Sequence, residues 1–412
     1  MNVKVFQFNG CNKCYNETLI LNDEEDWKVE LISDPKSWNE EETEVAIITG
    51  YLLPEDETPL LKIFNKSEKI IAFGSCPSTG GVYGLANQKG FEVTPMKEII
   101  KDSSLVHGCL ANIEDLKREI REESENKTQP LCSICKRGST CEYLEEVRRQ
   151  IELEDDEMCF NDLGFLCSGY VSAECKERCI DYNTQCRGCT PMIDRPGIRM
   201  LGMFGTLMGN IEVATEASKY GATDKLADED DDVTDSLPDI VGNFFRFTLP
   251  NSGLPNGRIP PKGKLVENVF VGRLIEELPL ITGLLGGSKS ISLTLNAIES
   301  YEKQVGIKIS EETKNYREQL RSLEKQLNKA IEDQDIKKYK EITNQIREIG
   351  GNMNLSNVFF GGFKTKIKES DNFENYKPHI FEISEGSYKD SIIEYTLDSQ
   401  GVINEIKLKE DL

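Results

Sequence analysis

The chain has 412 residues, with 49 Lys and Arg against 72 Asp and Glu, and its formal net charge of −23 opposes binding to the phosphates of nucleic acids. No stretch of it approaches the roughly 20 apolar residues of a membrane span. It also has no apolar signal segment at its start, so we expect a cytoplasmic protein. A chain of this length is predicted to form several domains.

The first part of the chain alternates predicted strands and helices. Short β-rich runs occupy residues 3–8, 44–49 and 69–74, and each stops close to a glycine. Helical segments are predicted at 59–67 and 112–124, and the second is amphipathic with an asparagine in the N-cap position. Strands that alternate with helices predict an α/β fold with a parallel, doubly wound sheet.

Thirteen cysteines lie before residue 190, and residues 190–412 contain none. Three pairs have the spacing Cys-x2-Cys, which puts two thiolates on one turn, where both can reach the same iron or zinc ion. These pairs are Cys11 and Cys14, Cys132 and Cys135, and Cys186 and Cys189. Disulfides are the alternative, but they suit small secreted domains, whereas this chain is long and has an odd number of thiols. The cysteines therefore indicate metal sites.

Four of the cysteines follow elements of the predicted sheet. Ligands of doubly wound sheets bind beyond the carboxyl ends of the strands. Cys11, Cys14 and Cys76 follow predicted strands there, and Cys109 follows another turn. Four thiols from three separate loops can converge, which predicts an all-cysteine cage for one 4Fe-4S cluster.

Residues 130–189 hold nine of the thiols and no histidine. Segments so rich in cysteine fold around metal rather than around a hydrophobic core. Zinc sites commonly mix cysteine with histidine, although all-cysteine zinc sites also occur. The crowded spacing of Cys175, Cys179, Cys186 and Cys189 is more typical of ferredoxin-type ligation. Nine thiols make two four-cysteine cages with one thiol left over.

The second half of the chain is predicted to be mainly helical. Residues 264–300 are apolar and are interrupted at Gly283, Gly286 and Gly287. Residues 310–349 carry the clearest helical pattern, in which two apolar stripes with spacings of three and four residues are separated by a short polar break. This pattern predicts an antiparallel helical hairpin.

Two motifs of the second half carry weaker hypotheses. The run LEKQLNKAIEDQDIKKYKEITNQIREI resembles the UVR-type interaction hairpin of nucleotide-excision-repair subunits and some protease adaptors. A packed helical pair with no separate role is the alternative. The tail sequence IIEYTLDSQGVINEIKLKE predicts a β-hairpin that turns at Ser399–Gly401.

Several motifs in fixed order resemble a known family. The runs FNGCNKC, FGSCPSTGGVYGLAN and VHGC are similar to the proximal-cluster signature of nickel–iron hydrogenase small subunits, which the homologous cluster-bearing 20 kDa-type subunit of respiratory complex I shares. CFNDLGFLCSGYVSAECKERCIDYNTQCRGC and LPDIVGNFFRFTLPNSG resemble the small subunit of cytoplasmic, methyl-viologen-reducing (deazaflavin-non-reducing) hydrogenases. The resemblance covers residues 1–262 and implies a flavodoxin-like sheet followed by a two-cluster domain.

The resemblance implies three 4Fe-4S clusters held by twelve of the cysteines. The proximal set is Cys11, Cys14, Cys76 and Cys109; the medial set is Cys175, Cys179, Cys186 and Cys189; the distal set is Cys132, Cys135, Cys159 and Cys167. Cys132 stands where membrane-linked relatives have a histidine ligand. Cys141 is left over, and we predict that it is not a ligand, with a substitute ligand of the distal cluster as the alternative.

The same resemblance implies an electron-transferring small subunit of a cytoplasmic nickel–iron hydrogenase. The nickel–iron centre that splits H2 would lie on a partner large subunit. Electrons would pass from the proximal to the medial to the distal cluster and leave near Cys132 and Cys135. Their acceptor would be a flavin- or iron–sulfur-bearing subunit, such as one of a heterodisulfide-reductase-type complex. No side chain of this chain would act as a catalytic nucleophile or base.

One motif departs from the family. Thr49-Gly50 stands where many hydrogenase small subunits carry Glu-Gly, whose glutamate is linked to the interface with the large subunit. This departure leaves open a homologous subunit of a nickel-free complex I-like or bifurcating reductase. The alternative from another class is a zinc-stabilised scaffold or adaptor, with the helical hairpin as its working part.

The expected organisation follows from these motifs. We predict a flavodoxin-like domain with the proximal cluster at 1–127, a cysteine-rich domain with the medial and distal clusters at 128–262, a helical connector at 263–309, a helical hairpin at 310–351 and a small β-containing tail at 352–412.

Overall fold

The structure is a computed structural model. It describes residues 1–123, 129–138, 147–150, 157–192, 239–254, 257, 263–365, 393–398 and 401–408. The leftover cysteine, Cys141, lies outside these residues, as do the first two residues of the LPDIVGNFFRFTLPNSG motif.

A five-stranded parallel sheet forms the N-terminal part of the chain. Its strands are β1 (Asn2–Gln7), β2 (Lys28–Ile32), β3 (Thr43–Thr49), β4 (Ser67–Phe73) and β5 (Ser104–Val106). Their order across the sheet is β2-β1-β3-β4-β5, which is the flavodoxin-like order. The predicted α/β class and doubly wound parallel sheet are therefore confirmed.

Both faces of the sheet are buried. Successive side chains of a strand point to opposite sides, so the residues of each strand divide between two hydrophobic clusters. In β1, Val3 and Val5 join one hydrophobic cluster and Phe6 joins the other. In β3, Ile47 and Ile48 divide in the same way. Burial on both faces explains why the central strands appear in the sequence as continuous apolar runs.

Helices follow most of the strands in this part of the chain. They are α1 (Lys13–Glu17), α2 (Glu57–Asn65), α3 (Ser75–Thr79), α4 (Met96–Ile99) and α5 (Ile113–Ile120). The predicted N-cap of α5 is confirmed, since the Asn112 side chain accepts a hydrogen bond from Glu114 N at 3.1 Å. The cysteine-rich segment that follows has only short 3-10 turns among its described residues.

Six helices lie in the described part of the chain after residue 238. They are α6 (Ile240–Phe244), α7 (Leu265–Phe270), α8 (Leu278–Leu285), α9 (Ser290–Val305), α10 (Glu311–Glu332) and α11 (Ile336–Gly350). The predicted interruption at Gly286 and Gly287 is confirmed, but the one at Gly283 is wrong, because Gly283 lies inside α8. A Cβ at Gly283 would lie 2.5 Å from Asn354 O, so this glycine allows two backbones to approach closely.

The predicted helical hairpin is present as α10 and α11. The Ser310 side chain accepts a hydrogen bond from Thr313 N, and a break at 333–335 separates the two helices. Their apolar stripes, which include Leu320 and Ile346, are buried. The resemblance to UVR-type hairpins stays a prediction.

Short antiparallel pairs of strands complete the described chain. They are β6 (Val358–Phe359) with β7 (Gly362–Phe363), and β8 (Ile393–Leu397) with β9 (Ile403–Leu408). The second pair is the predicted β-hairpin of the tail, although Ser399 lies outside the described residues.

The C-terminal half packs against the sheet rather than standing apart from it. One continuous hydrophobic cluster contains Val5 and Ile71 of the sheet together with Leu278, Leu320 and Ile342 of the later helices. The domain boundaries given above stay predictions. Within the described residues, no helix is both long enough and apolar enough to cross a membrane.

Candidate metal centres

The four cysteines of the proximal set lie at the carboxyl edge of the sheet. Cys11 and Cys14 are in the turn and helix that follow β1, Cys76 lies in α3 directly after β4, and Cys109 lies after β5. Each parallel strand delivers its loop to the same edge, so three separate loops meet there. The thiols are near enough that the charge of Cys11 affects the pKa of Cys14, Cys76 and Cys109.

Three thiols of this quartet, Cys14, Cys76 and Cys109, are poorly suited to be anionic on their own. Burial raises the pKa of Cys14 to about 12, and the charge of Cys11 adds to the shift. Burial likewise raises the pKa of Cys76 and of Cys109 well above the usual range, and the charges of Cys11 and Cys14 add to both shifts. Metal ligands must be thiolates, so a bound cationic iron centre would supply the charge that this dry site lacks.

Two glycines leave room for the sulfur atoms. A Cβ at Gly74 would lie 2.8 Å from Cys14 Sγ, and a Cβ at Gly81 would lie 2.8 Å from Cys76 Sγ. Both residues also have positive φ, +105° and +57°, which a side chain would disfavour. Glycine at these two places is therefore required by the thiols as well as by the backbone.

Hydroxyl groups hold the loops of the quartet in place. The Tyr83 hydroxyl accepts a hydrogen bond from Cys11 N at 2.8 Å and lies 3.3 Å from Leu285 O in α8, to which it donates. The Ser75 hydroxyl donates to Cys189 O at 2.7 Å, which links the proximal loops to a cysteine of the medial set.

The medial set lies next to the proximal set. Burial raises the pKa of Cys179 to about 12, and burial also raises the pKa of Cys175 and of Cys189, with the neighbouring thiols adding to each shift. One of the charges that act on Cys189 is that of Cys109. The two sites are therefore neighbours in the structure.

The distal set lies close to Cys186. Burial raises the pKa of Cys132 to about 11, with the charges of Cys135 and Cys159 adding to the shift, and the Cys132 residue is exposed. The backbone N–H of Cys186 donates to Cys167 Sγ at 3.3 Å. The charge of Cys186 acts on cysteines of both sets, so this residue is near both.

The chemistry of the cysteines fits iron–sulfur clusters. No disulfide joins any of the twelve cysteines that the structure describes. Nor do three or more His, Cys, Asp or Glu side chains in the described ranges converge on the position of a single metal ion. A four-iron cluster does not need such convergence, because each of its four cysteines binds a different iron.

A buried group of charges lies beside the medial set. Arg187 lies between Cys186 and Cys189 in the sequence, its side chain is 8% exposed, and it forms an ion pair with Glu277, which also lies 2.6 Å from Arg246 Nη1. Burial alone would raise the pKa of Glu277, but the two arginines overcome that effect and lower the pKa to about 2. The site thus has fixed positive charge next to its thiols.

A buried lysine lies close to this group of charges. Lys364 Nζ donates to Thr184 Oγ1 at 2.8 Å and lies 5.0 Å from the centre of the Phe359 ring. Burial, reinforced by the charge of Arg187, lowers the pKa of Lys364 to about 7.

Three residues near the thiols were not predicted from the sequence. Lys13, between the first two cysteines, is buried, and its Nζ donates to Gly283 O at 2.5 Å and to Met353 O at 2.7 Å. Asn352 and Asn354 place their side-chain amides against cysteines of the medial and proximal sets. The only sequence signal for them is the amide-rich run GGNMNLSN that follows a helix.

Thr49 is the residue that the resemblance to hydrogenase small subunits places where many of them carry a glutamate. It is fully buried, and its hydroxyl lies 3.0 Å from Phe6 O and 2.8 Å from Gln7 Oε1, to either of which it can donate. The residue is thus turned into the sheet, and it offers a hydroxyl where a carboxylate would carry charge.

A flavodoxin-like sheet that presents four half-buried cysteines at its carboxyl edge, followed by a short segment with eight more, defines an iron–sulfur class of protein. Residues 6–122 match the family model described as NADH ubiquinone oxidoreductase, 20 Kd subunit. The resemblance to this family, predicted from the cysteine motifs, is confirmed.

Curated relatives extend the match beyond that domain, and each is named as the G subunit of an F420-non-reducing hydrogenase. The chain is 25% identical over 280 residues to the one from Methanothermobacter marburgensis, covering 57% of this chain and 86% of the relative. It is 25% identical over 295 residues to the vhu protein of Methanocaldococcus jannaschii, covering 61% and 95%. It is 24% identical over 284 residues to the protein of Archaeoglobus profundus, whose name also calls it an iron-sulfur subunit, covering 53% and 82%.

A solved structure is also similar to part of the chain. It is a chain of an NAD+-reducing [NiFe]-hydrogenase in the H2-reduced state, with a TM-score of 0.26, 18% identity, and coverage of 30% of this chain and 93% of that one. The resemblance to hydrogenase small subunits rests on the curated relatives, which are hydrogenase subunits by name.

Proposed function

We propose that this chain is the electron-transferring iron–sulfur small subunit of a cytoplasmic nickel–iron hydrogenase. The observation that carries the proposal is the meeting of Cys11, Cys14, Cys76 and Cys109 at one edge of the sheet, with the medial cysteines as direct neighbours. Similarity to the F420-non-reducing hydrogenase proteins over more than half of the chain supports it.

Three 4Fe-4S clusters would be held by the proximal, medial and distal quartets, and when bound they would supply one-electron carriers between a partner's H2 site and an acceptor. The chain's own residues do the rest. Its cysteines fix the irons, its buried carbon and amide groups exclude water, and its arginines and Lys364 set the local charge. Cys141 is not needed for any of the three sets.

The expected partners are those that would bind at the two ends of the proposed series of clusters. A large subunit with the nickel–iron centre would bind near the proximal quartet. A flavin- or iron–sulfur-bearing acceptor, such as one of a heterodisulfide-reductase-type complex, would bind near Cys132, whose exposure supports an exit at the distal quartet.

The test is the metal content of the complex purified from its host without oxygen. We expect about 12 iron atoms per copy of this chain, from three four-iron clusters, together with nickel and iron from a larger co-purified subunit. Iron in that amount without any nickel would refute the hydrogenase and leave a subunit of another reductase. A colourless protein that contains zinc would instead favour the scaffold alternative.

The nickel-free alternative has one observation in its favour. Thr49 offers a buried hydroxyl where a glutamate is linked to the large-subunit interface of many hydrogenases. A homologous subunit of a complex I-like or bifurcating reductase would have no need of that glutamate. Nickel analysis of the native complex separates the two functions directly.

A further inference from the structure

A loop of the C-terminal half lies between the proximal and medial quartets. This linking loop, residues 351–357, joins α11 to β6. It is far from both quartets in the chain, since its contacts with Cys179 and Cys109 span 173 and 245 residues. Asn352 and Asn354 of the loop are nearly inaccessible to solvent, with 1% and 3% of their surface exposed.

The orientation of the Asn352 amide is fixed by four hydrogen bonds. Its Oδ1 accepts from Asn354 N at 2.9 Å and from Ser356 N at 3.1 Å. The Nδ2 group must therefore face the other way, where it lies 2.9 Å from Glu177 O and 3.4 Å from Cys179 Sγ. A flipped amide would leave two backbone N–H groups against N–H donors, so the donor at the sulfur is unambiguous.

The next two residues hold the proximal loops. Asn354 Nδ2 donates to Cys109 O at 2.6 Å, and Asn354 Oδ1 accepts from Lys13 Nζ at 3.1 Å. Met353 O accepts from the same ammonium group at 2.7 Å, while Met353 N donates to Glu177 Oε2 at 2.8 Å. Three consecutive residues thus join the loop of the first cysteine pair to the loop of the medial quartet.

We propose that the linking loop is a working part of the electron relay, in which Asn352 donates an N–H group to the sulfur of Cys179 and raises the reduction potential of the medial cluster. Asn354 acts as a positioning residue for Cys109. The inference rests on the proposed function. Its physical basis is that an N–H donor at a ligand sulfur stabilises the added negative charge of the reduced cluster.

The experiment compares asparagines of the same loop in the complete, oxygen-free complex. Asn352→Leu removes the donor at the sulfur without adding charge. Asn357→Leu is the matched control, since the Asn357 amide donates to Ile349 O at 3.1 Å and bonds to no thiol in the described structure. Asn352→Asp is the second variant, because it keeps the acceptor that orders the loop and still removes the donor. Iron content is measured by metal analysis. Cluster potentials are measured by electron paramagnetic resonance during redox titration.

We expect Asn352→Leu and Asn352→Asp to lower the potential of one cluster and leave the other two unchanged. At the wild-type midpoint the ratio of oxidised to reduced cluster should rise roughly fivefold, which corresponds to about 1 kcal/mol. If Asn352→Leu loses irons while the Asn357 control keeps them, the potential is measured in Asn352→Asp, which keeps the acceptor that orders the loop.

Two results would overturn the inference while the proposed function stands. One is full iron content with unchanged potentials in both Asn352 variants, and the other is an equal change in the Asn357 control. A wild-type complex without iron–sulfur clusters would overturn the proposed function, and this inference with it.

Discussion

Two arginines of α10 test how much burial decides the strength of an ion pair. Arg317 forms a two-point contact with Glu302, with Nη1–Oε2 at 2.7 Å and Nη2–Oε1 at 2.6 Å, and the two side chains are 1% and 5% exposed. One turn further on, Arg321 contacts Glu299 at 2.7 Å, but these side chains are 29% and 38% exposed. The two pairs therefore join the same helices with nearly the same chemistry.

The expected effect of removing each arginine differs several-fold. Arg317→Met leaves the Glu302 carboxylate buried with one described hydrogen-bond donor, Gly361 N at 2.7 Å, and should cost about 3–5 kcal/mol. Arg321→Met removes a solvated pair and should cost about 0.2–1 kcal/mol. The difference between the two costs comes from the uncompensated buried charge of Glu302. The double variant Arg317→Met with Glu302→Gln should therefore recover part of the loss.

Hydrogen exchange of the complete, cluster-containing protein measures this difference in free energy locally, close to the two ion pairs. The slow amides of α10 and α11 report the free energy of local opening. A gap of about 2 kcal/mol between the two single variants corresponds to roughly 30-fold faster exchange in Arg317→Met. Equal exchange in the two variants, or no recovery in the double variant, would refute the argument from burial.

Three further predictions concern the candidate sites. Gly74→Ala should release about four irons, because the new methyl group meets the Cys14 sulfur. Gly272 also has a positive φ but has open space around it, so Gly272→Ala should keep the full iron content. Lys13→Met should speed hydrogen exchange in the linking loop several-fold while the amides of β1 stay protected, since two of the three acceptors of Lys13 lie in that loop. Unchanged exchange in the linking loop would contradict the role of this lysine. The lowered pKa of Glu277 stabilises the fold above pH 4.5, and about 3 kcal/mol of that stability should be lost as pH falls from 4.5 toward 2. The free energies of unfolding of wild type and Glu277→Gln, measured with urea, should therefore converge in this range. A constant difference between them would contradict the prediction.

The sequence predicts the elements whose pattern is local and strong. β3 and β4 contain continuous apolar runs because the sheet is buried on both faces, and β1 carries Val3, Val5 and Phe6 around a buried lysine. The hairpin of α10 and α11 shows two clear stripes. β2 was not predicted, since its residues are exposed or only half-buried and have no apolar run. β5 was not predicted because it has only three residues.

The cysteines could be found from the sequence, but their surroundings could not. Spacing marks Cys11 and Cys14, and positions after a predicted strand and a turn mark Cys76 and Cys109, because loops after parallel strands must meet at one edge. The contacts of Asn352 depend on two segments that come together only in the folded chain, and no spacing rule connects residues 173 positions apart. Gly283 was misjudged for the same reason, as the backbone that approaches it belongs to a distant loop.

The contacts of Lys13 also bear on how the protein is made. Its acceptors are Gly283, Met353 and Asn354, so the loop that carries the first cysteine pair lacks these partners until a segment up to 341 residues later has left the ribosome. During synthesis all four cysteines of the first quartet are therefore made before the residues that hold Lys13 in place. The packing around the first cysteine pair is complete only once the C-terminal half has folded against it.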